Sequence, residues 1–296
     1  MATDGQGPYE VEVEEVEYLR HGEKPFLARV FRPRGEGPFP AVIDAHGGAW
    51  CRGGTSGNDP INQEVARGGV VVAALEFRNP PDATYPGSVA DVNYGVRWLK
   101  SEARRFDSEP GMVGSMGTSS GGHLVVLAAL KPDDPRYASI PLTAGAAIDA
   151  RVPYVVTLWP VICPISRYLE YKKRLKDDPD NEHLNNIVRN HNTYWLNEDA
   201  MAEGSPNLAL QRGDAIDTPN ILYLQNPIDR MHPRANLDSF VDCYRKADGD
   251  LTLEFFDGEN YDQIRTDPAS PEARDGIRKI VEFIHRQAAT TRAPGG

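Results

Sequence analysis

Long apolar runs and paired cysteines are scarce in this sequence. Within its 296 residues no apolar stretch approaches the roughly 18 residues that a membrane-spanning helix needs, so we expect no transmembrane segment. The three cysteines, Cys51, Cys163 and Cys243, are too few and too widely spaced for a disulfide framework or a zinc-ligand pair, and we expect reduced thiols. The acidic N-terminal stretch lacks the basic and apolar regions of a secretory signal, which indicates a cytoplasmic protein.

The sequence is also poor in positive charge. It has 32 Lys and Arg residues against 43 Asp and Glu residues, a formal net charge of −11, and no basic cluster. Because such a chain repels a polyphosphate backbone, we expect no nucleic-acid partner. No spacing of His, Asp and Glu predicts a metal site, and we expect no cofactor.

Short apolar runs alternate with helix-like segments over most of the chain. Two segments with alternating polarity, Val11 to Tyr18 and Phe26 to Phe31, predict an opening antiparallel strand pair. Six buried strands are predicted at 41–45, 70–77, 112–116, 154–159, 221–225 and 251–256, and helices at 89–106, 235–247 and 270–287. This order predicts an α/β fold with a mostly parallel, doubly wound sheet. The long polar interval at about 160–219 predicts an inserted helical lid.

The strongest local signal is GTSSGG, Gly117 to Gly122, between the strand-like MVGSM and the helix-like HLVVLAAL. In a G-x-S-x-G elbow the chain turns so sharply that the serine adopts a strained backbone conformation, and the glycines leave room for neighbouring elements. A strand before the motif and a helix after it are the context that the motif requires. We therefore predict that Ser119 is a nucleophile.

A second signal, HGGAW from His46 to Trp50, directly follows the strand AVIDA. Glycines in this loop can direct backbone N–H groups at one point, where the N–H of the residue after the nucleophile can join them. We predict that Gly47, Gly48 and Ser120 form an oxyanion hole. His46 precedes the glycines, and we interpret it as an orienting loop residue.

Three motifs in order, HGGAW, FRNPPDATYPGSVADVNYGVRWL and GTSSGGHL, are similar to those of a known family. They resemble the hormone-sensitive-lipase-like and acetyl-esterase-like branches of the α/β-hydrolases, over about residues 25 to 287. The resemblance implies one α/β-hydrolase domain over 1–296 with a lid at about 160–219, and a serine hydrolase of the carboxylic-ester class that forms an acyl-enzyme. It also implies that His123 packs behind the elbow, and that the wall beneath the site includes Arg78, Tyr85, Pro86 and Asp91.

The resemblance further indicates where the acid and the base should lie. The acid of the family follows the penultimate strand, which makes Asp229 the predicted acid; in the lipase-branch pattern Asn226 takes that position. The base of the family is a histidine after the last strand, and here Tyr261, or Asn260 in a shorter register, occupies its position. Neither a phenol with an ordinary pKa of about 10 nor an amide accepts a proton as imidazole does near neutral pH.

The apparent absence of the base leaves several hypotheses open. The histidine was replaced deliberately, was lost in a natural change of function, or is substituted by another residue such as His232, three positions after Asp229. Three functions then stay open. The chain is an ester hydrolase whose activity is intact or impaired, a non-hydrolytic dehydratase, lyase or cyclase that uses Tyr261, or a ligand-binding protein without catalytic activity. The expected partner is a small ester or amide, and its suggested aromatic character rests on four rings in or beside the lid, Trp159, Tyr168, Tyr171 and Trp195.

Overall fold

Eight strands form one sheet at the centre of the fold, which a computed structural model describes for residues 8–142 and 147–292. The ends of the expected domain, and residues 143–146 within it, lie outside the described residues. The strands are β1 (Val11–His21), β2 (Lys24–Pro33), β3 (Ala41–Ala45), β4 (Val71–Leu75), β5 (Val113–Thr118), β6 (Tyr154–Leu158), β7 (Asn220–Gln225) and β8 (Leu251–Phe255).

The strand order is β1-β2-β4-β3-β5-β6-β7-β8. Strand β2 pairs antiparallel with both β1 and β4, and the other neighbours pair in parallel. This confirms the predicted antiparallel pair and the mostly parallel sheet. Because the carboxyl ends of parallel strands meet at one edge, the loops after β3, β5, β7 and β8 converge there. HGGAW, Asp229 and Tyr261 are in the loops after β3, β7 and β8, and GTSSGG spans the junction of β5 and α3 at the same edge.

Helices connect the strands and surround the sheet. The described α-helices are α1 (Asp59–Arg67), α2 (Gly87–Glu102), α3 (Ser119–Leu130), α4 (Pro164–Asp177), α5 (Glu182–Trp195), α6 (Glu198–Glu203), α7 (Pro206–Arg212), α8 (Arg234–Lys246), α9 (Gln263–Thr266) and α10 (Pro271–Arg292). The helix predicted over 89–106 is shorter, because α2 ends at Glu102 and a 3-10 helix, Ala103–Phe106, follows. Asp107 ends that turn in the left-handed conformation, with φ of 56°.

Both faces of the sheet are covered, as a doubly wound fold requires. Along β3, Ala41, Ile43 and Ala45 join a core with residues of α2, α3 and α8, whereas Val42 joins a second core with residues of α1 and α10. Successive side chains of a strand point to opposite faces, so the two cores lie on opposite sides of the sheet. The near-continuous apolar runs in the sequence follow from this double burial.

Four helices, α4 to α7, lie between β6 and β7 and fall within the interval predicted as the lid. Tyr171 of α4 packs against Leu184 and Ile187 of α5 in a small apolar cluster of their own. The two long helices of the insertion are therefore held together partly by contacts with each other. Among the helices of residues 8–142 and 147–292, none is long and apolar enough to cross a membrane.

The start of α3 packs directly against the end of β3, and only glycine fits at the point of contact. A Cβ atom on Gly121 would lie 2.0 Å from the carbonyl oxygen of Ala45 and 2.4 Å from that of His46. Both atoms belong to the backbone, which cannot move aside without shifting β3 or its loop. The glycine in the elbow therefore sets the distance between two of the loops at the carboxyl edge of the sheet.

We expect Gly121→Ala to lower the free energy of unfolding by about 2 kcal/mol or more, because the methyl group overpacks a rigid backbone contact. Urea denaturation followed by circular dichroism measures this change. Gly111→Ala is the matched control, since a Cβ atom there meets nothing within 4 Å. Equal stability of the two variants would contradict the close contact between α3 and β3.

Candidate active site

Ser119 lies where β5 turns into α3, as the GTSSGG motif predicts. Thr118 is still extended, with φ of −115° and ψ of 140°, while Ser119 has a φ of 51°, in the left-handed region that non-glycine residues rarely adopt. The turn from strand to helix therefore takes place at one residue. The half-buried Ser119 side chain lines a cavity at the carboxyl edge of the sheet.

Three side chains form a continuous chain of hydrogen bonds at this edge. The Ser119 hydroxyl Oγ lies 3.1 Å from Nε2 of His232, and Nδ1 of His232 lies 2.8 Å from Oδ2 of Asp229. A carboxylate only accepts hydrogen bonds, so Nδ1 carries the proton and Nε2 is free to accept from Ser119. The arrangement can therefore move a proton from the serine to the imidazole while the carboxylate stabilises the resulting cation.

Asp229 organises the loop that contains both itself and His232. Its Oδ1 accepts hydrogen bonds from the backbone N–H of Met231 at 2.7 Å and of His232 at 3.1 Å, which curls the loop around the carboxylate. Its Oδ2 accepts from Nε2 of Gln225 at 2.7 Å in addition to His232. The Asp229 side chain is fully buried, and these four donors replace the water that it has lost.

The residue that contacts Ser119 is not at the position that the resemblance implies for the base. The side chain hydrogen-bonded to Ser119 is His232, on the loop after β7, whereas Tyr261, on the loop after β8, packs its ring against that of His232 at 5.7 Å between centroids. The physical reason is the tight turn around Asp229, which brings a histidine three residues away back over the carboxylate. The D-x-x-H-P spacing, with Pro233 just before α8, was the available signal in the sequence.

Asn226, the alternative position for the acid, has a different environment. Its Oδ1 accepts a hydrogen bond from the backbone N–H of Ile228, and its Nδ2 donates to the carbonyl oxygens of Gly258 at 3.4 Å and Asn260 at 3.3 Å. Asn226 thus connects the loop after β7 with the loop after β8. Asp229, and not Asn226, contacts the imidazole.

Burial and hydrogen bonding together set the protonation of these groups. Burial lowers the pKa of His232, and the adjacent Asp229 carboxylate only partly offsets this effect. Burial alone would raise the pKa of Asp229, but its contacts with His232 and with two backbone N–H groups outweigh burial and lower that pKa. Burial raises the pKa of Tyr261, so its phenol stays protonated near neutral pH. A neutral imidazole beside an ionised carboxylate is the state that a general base requires.

The HGGAW loop lies opposite Ser119, and one of its N–H groups is already engaged. The backbone N–H of Gly47 donates to Oγ1 of Thr118 at 3.1 Å, which differs from the expectation that it points at an oxyanion. Gly48 has a φ of 128°, and a Cβ atom there would lie 1.9 Å from the carbonyl oxygen of Arg52, so only glycine fits. Ser120 is in the first turn of α3, where backbone N–H groups have no partner within the helix.

A buried network behind the loop fixes Thr118. Its hydroxyl donates to Oδ1 of Asn58 at 3.1 Å, and Nδ2 of Asn58 donates to both carboxylate oxygens of Asp44 at 3.0 and 3.1 Å. Burial raises the pKa of Asp44 to about 6, against the hydrogen bonds from Asn62 and Asn58. The network links the ends of β3 and β5, and so aligns the glycine loop with the elbow.

Two further histidines, His46 and His123, are held by packing and hydrogen bonds near the site. His46 stacks on Phe77 with ring centroids 4.3 Å apart and bonds through Nδ1 to the Gly47 carbonyl oxygen, which fits its interpretation as an orienting residue. His123 accepts from the indole N–H of Trp50 at 3.1 Å and lies 2.8 Å from the carbonyl oxygen of Gly204. Burial lowers the pKa of His123 to about 4, so it remains neutral as it connects α3, the HGGAW loop and the insertion.

The residues expected to shape the wall behind the site form their own contacts. Arg78 and the buried Asp91 make an ion pair at 2.7 Å, and His21 adds a second contact to the same carboxylate at 2.9 Å. Tyr85 binds the hydroxyl of Tyr137 at 2.6 Å. These groups hold each other in place, and none of them lines the cavity around Ser119.

That cavity has a volume of about 590 Å³, which is in the range of sites for small organic molecules. Its walls come from the HGGAW loop, the loops after β7 and β8, α4 and α5. Of the four rings suggested as pocket residues, Trp159 lines the cavity, whereas Tyr168, Tyr171 and Trp195 are buried away from it. The reason is packing within the insertion and beneath it: Trp195, for example, contacts Trp50 edge-to-face at 5.4 Å.

Comparisons with known proteins agree with the fold. Residues 30–198 match the family described as BD-FAE. The probable carboxylic ester hydrolase LipM of Mycobacterium tuberculosis is 33% identical over 119 residues, 40% of this chain and 28% of that protein. Esterase LipC of the same organism is 30% identical over 118 residues, 39% of this chain and 29% of that protein. The chain thus spans less than a third of the length of each relative.

The structure of esterase B from Lactobacillus rhamnosis superposes with a TM-score of 0.76 over 97% of this chain and 90% of that one, at 17% identity. Together with the sheet order and the elbow, this similarity defines an α/β-hydrolase fold, as predicted. Because the matching region is more than half of the chain, the protein belongs to the BD-FAE family.

We expect the reaction of Ser119 with phenylmethanesulfonyl fluoride to speed up with rising pH, with a midpoint below 6.5. The reaction needs neutral His232, and burial lowers the pKa of this imidazole, so its neutral form persists into more acidic solution. Asp229→Asn should slow the reaction by about 10³-fold or more at pH 8, because the imidazole loses its orienting acceptor.

Mass spectrometry of the modified protein gives the rate at each pH. Asp257→Asn is the control, since this exposed aspartate also follows a strand of the sheet. A midpoint at or above 6.5, or equal rates in Asp229→Asn and Asp257→Asn, would contradict the roles of His232 and Asp229.

Proposed function

We propose that this protein is a carboxylic-ester hydrolase that works through an acyl-enzyme on Ser119. The observation that carries the proposal is the hydrogen-bond chain from Ser119 through His232 to Asp229, facing a glycine loop across one cavity. The family match and the names of LipM and LipC support the same reaction class. The imidazole of His232 within hydrogen-bond distance of Ser119 supports an active rather than an impaired hydrolase.

The reaction follows from the positions of the side chains. His232 takes the proton from the Ser119 hydroxyl as the oxygen attacks the ester carbonyl, and it then donates that proton to the departing alcohol. Water, activated by the same imidazole, attacks the acyl-enzyme and releases the acid. Asp229 holds the productive tautomer of His232 and stabilises its cation through both steps.

Charge that develops on the carbonyl oxygen is stabilised by backbone N–H groups. Ser120 supplies one donor from the first turn of α3, where the helix dipole is also favourable to negative charge. Gly48 supplies the second, from the loop that faces the elbow. Gly47, initially expected as a donor, acts through its hydrogen bond with Thr118, which keeps the loop in register with the elbow.

Tyr261 forms part of the wall beside the base. Its ring contacts both His232 and Trp159, with centroids 5.7 and 6.2 Å apart. A role as proton acceptor in an elimination or ring-forming reaction needs a lowered pKa, whereas burial raises it. We therefore favour hydrolysis over both a lyase that uses Tyr261 and a silent binding protein. The cytoplasmic location expected from the sequence stays a prediction.

The insertion acts as the lid of this site. Helix α4 and helix α5 both contribute residues to the cavity wall, and Arg167 of α4 donates from Nε to the carbonyl oxygen of Met231 at 3.0 Å, next to the base. The substrate is a small ester that fits a cavity of about 590 Å³.

We expect the unmodified chain to hydrolyse 4-nitrophenyl butyrate, and Ser119→Ala and His232→Ala each to lose about 10⁴-fold or more in kcat, because members of a triad act as a unit. Tyr261→Phe should retain activity within about tenfold, since the ring stays and only the phenol oxygen is removed. Release of nitrophenol at 405 nm measures the rates.

Tyr261→His tests the idea that the base was lost from position 261. We expect no gain of activity, because His232 already bonds with Ser119. Loss of activity in Tyr261→Phe with retention in His232→Ala would overturn the assignment of the base. Inactivity of the unmodified chain toward butyrate, acetate and aryl esters would overturn the proposed reaction.

A further inference from the structure

Arg167, on the first turns of α4, is a buried cation that lines the cavity around Ser119. Only 3% of its surface is exposed, and Nη1 is buried without a hydrogen-bond partner among the described residues. A guanidinium has five N–H donors and is always charged, so a buried one normally has a carboxylate partner. Arg167 makes no ion pair within the part of the chain that the structure describes.

The neighbours of Arg167 hold the side chain, and among the described residues none of them forms an ion pair with it. Its Nε donates to the carbonyl oxygen of Met231, and its guanidinium lies over the ring of Tyr171, 5.4 Å from the centroid. The carboxylate of Asp229, which is close in the sequence to Met231, already accepts from four donors. Backbone and ring contacts therefore fix the side chain, and Nη1 is left without a hydrogen-bond partner among the described residues.

The charge of the cavity wall is opposite to that of the whole chain. The wall contains three arginines, Arg52, Arg167 and Arg265, and one carboxylate, Asp262, which pairs with Arg265. The chain as a whole has a net charge of −11. The excess positive charge thus comes from the buried Arg167 and the more exposed Arg52, in a protein whose surface otherwise repels anions.

We propose that Arg167 binds an anionic group of the substrate, so that the preferred esters carry a free carboxylate near the scissile bond. This inference rests on the proposed hydrolase function. Arg167 donates to the carbonyl oxygen of Met231, the residue before His232, and it lines the same cavity as Ser119. The carboxylate of a bound substrate would therefore lie in the same cavity as the reacting carbonyl. A planar guanidinium matches a carboxylate with two parallel hydrogen bonds, which recognises the group by shape as well as by charge. Arg52 contributes less, because water screens an exposed charge.

The test compares pairs of similar esters, in which one member carries a free carboxylate and the other carries a neutral group in its place. For the acyl side, the pair is mono-4-nitrophenyl glutarate and 4-nitrophenyl pentanoate; for the alcohol side, the pair is 4-acetoxybenzoate and its methyl ester. We expect the unmodified chain to prefer the anionic member of one pair. Arg167→Met should lower the ratio of kcat/KM, anionic over neutral, by about ten- to a hundredfold, mostly through KM.

Two further variants separate recognition from structure. Arg167→Lys keeps the charge but loses the forked pair of donors, so we expect an intermediate ratio. Arg174→Met is the matched control, because Arg174 is on the same helix and also lies over Tyr171, at 4.6 Å, yet it is exposed. Its ratio should equal that of the unmodified chain. If Arg167→Met does not fold, as thermal unfolding would show, Arg167→Lys decides the test.

If Arg167→Met lowers kcat/KM equally for the anionic and the neutral ester of each pair, Arg167 only positions the Met231 loop, and the proposal is overturned. The absence of any anionic preference in the unmodified chain would do the same. If no ester is hydrolysed, the proposed function fails, and the anion site is tested separately by calorimetry with glutarate and benzoate on Ser119→Ala. Binding that is at least tenfold weaker after adding Arg167→Met supports the site; no binding, or equal binding, overturns it.

Discussion

The buried carboxylate of Asp229 is the constraint on which the site depends. Removed from water, it requires several hydrogen-bond donors, and it obtains them from Gln225 at the end of β7 and from the loop that follows. Those bonds curl the loop and leave the imidazole of His232 between the carboxylate and Ser119. The conformation of one loop therefore brings both Asp229 and His232 into the hydrogen-bond chain of Ser119.

Because His232 is on the loop after β7, the loop after β8 does not contribute the side chain that contacts Ser119. That loop is attached to the loop after β7 through Asn226, which donates to the carbonyl oxygens of Gly258 and Asn260. It contributes the ring of Tyr261 to the cavity wall, and the phenol of this residue stays protonated near neutral pH. Position 261, where the resemblance implies a histidine, thus contributes to the cavity wall beside His232.

The insertion and the site are connected through the same loop. Arg167 contacts the Met231 carbonyl oxygen, and the insertion is also joined to α3 and the HGGAW loop through His123, Trp50 and Gly204. A ligand that binds Arg167 therefore contacts the element that covers the cavity and, one residue away, the element that holds the base. The proposed recognition of substrate by Arg167 and the alignment of His232 therefore share one set of contacts.

The sequence by itself determined the sheet, the elbow and the glycine loop, because short apolar runs and glycines at close backbone contacts are local signals. Ser119 and Gly48 were predicted from such signals, whereas Asp229 was predicted only from the resemblance to the α/β-hydrolase family. Tertiary structure alone decided that His232 reaches Ser119, that the Gly47 N–H is engaged by Thr118, and that Arg167 is buried without a carboxylate. Each of these depends on how side chains from separate loops and helices meet, and hydrogen bonds between elements distant along the chain leave no periodic trace in the sequence.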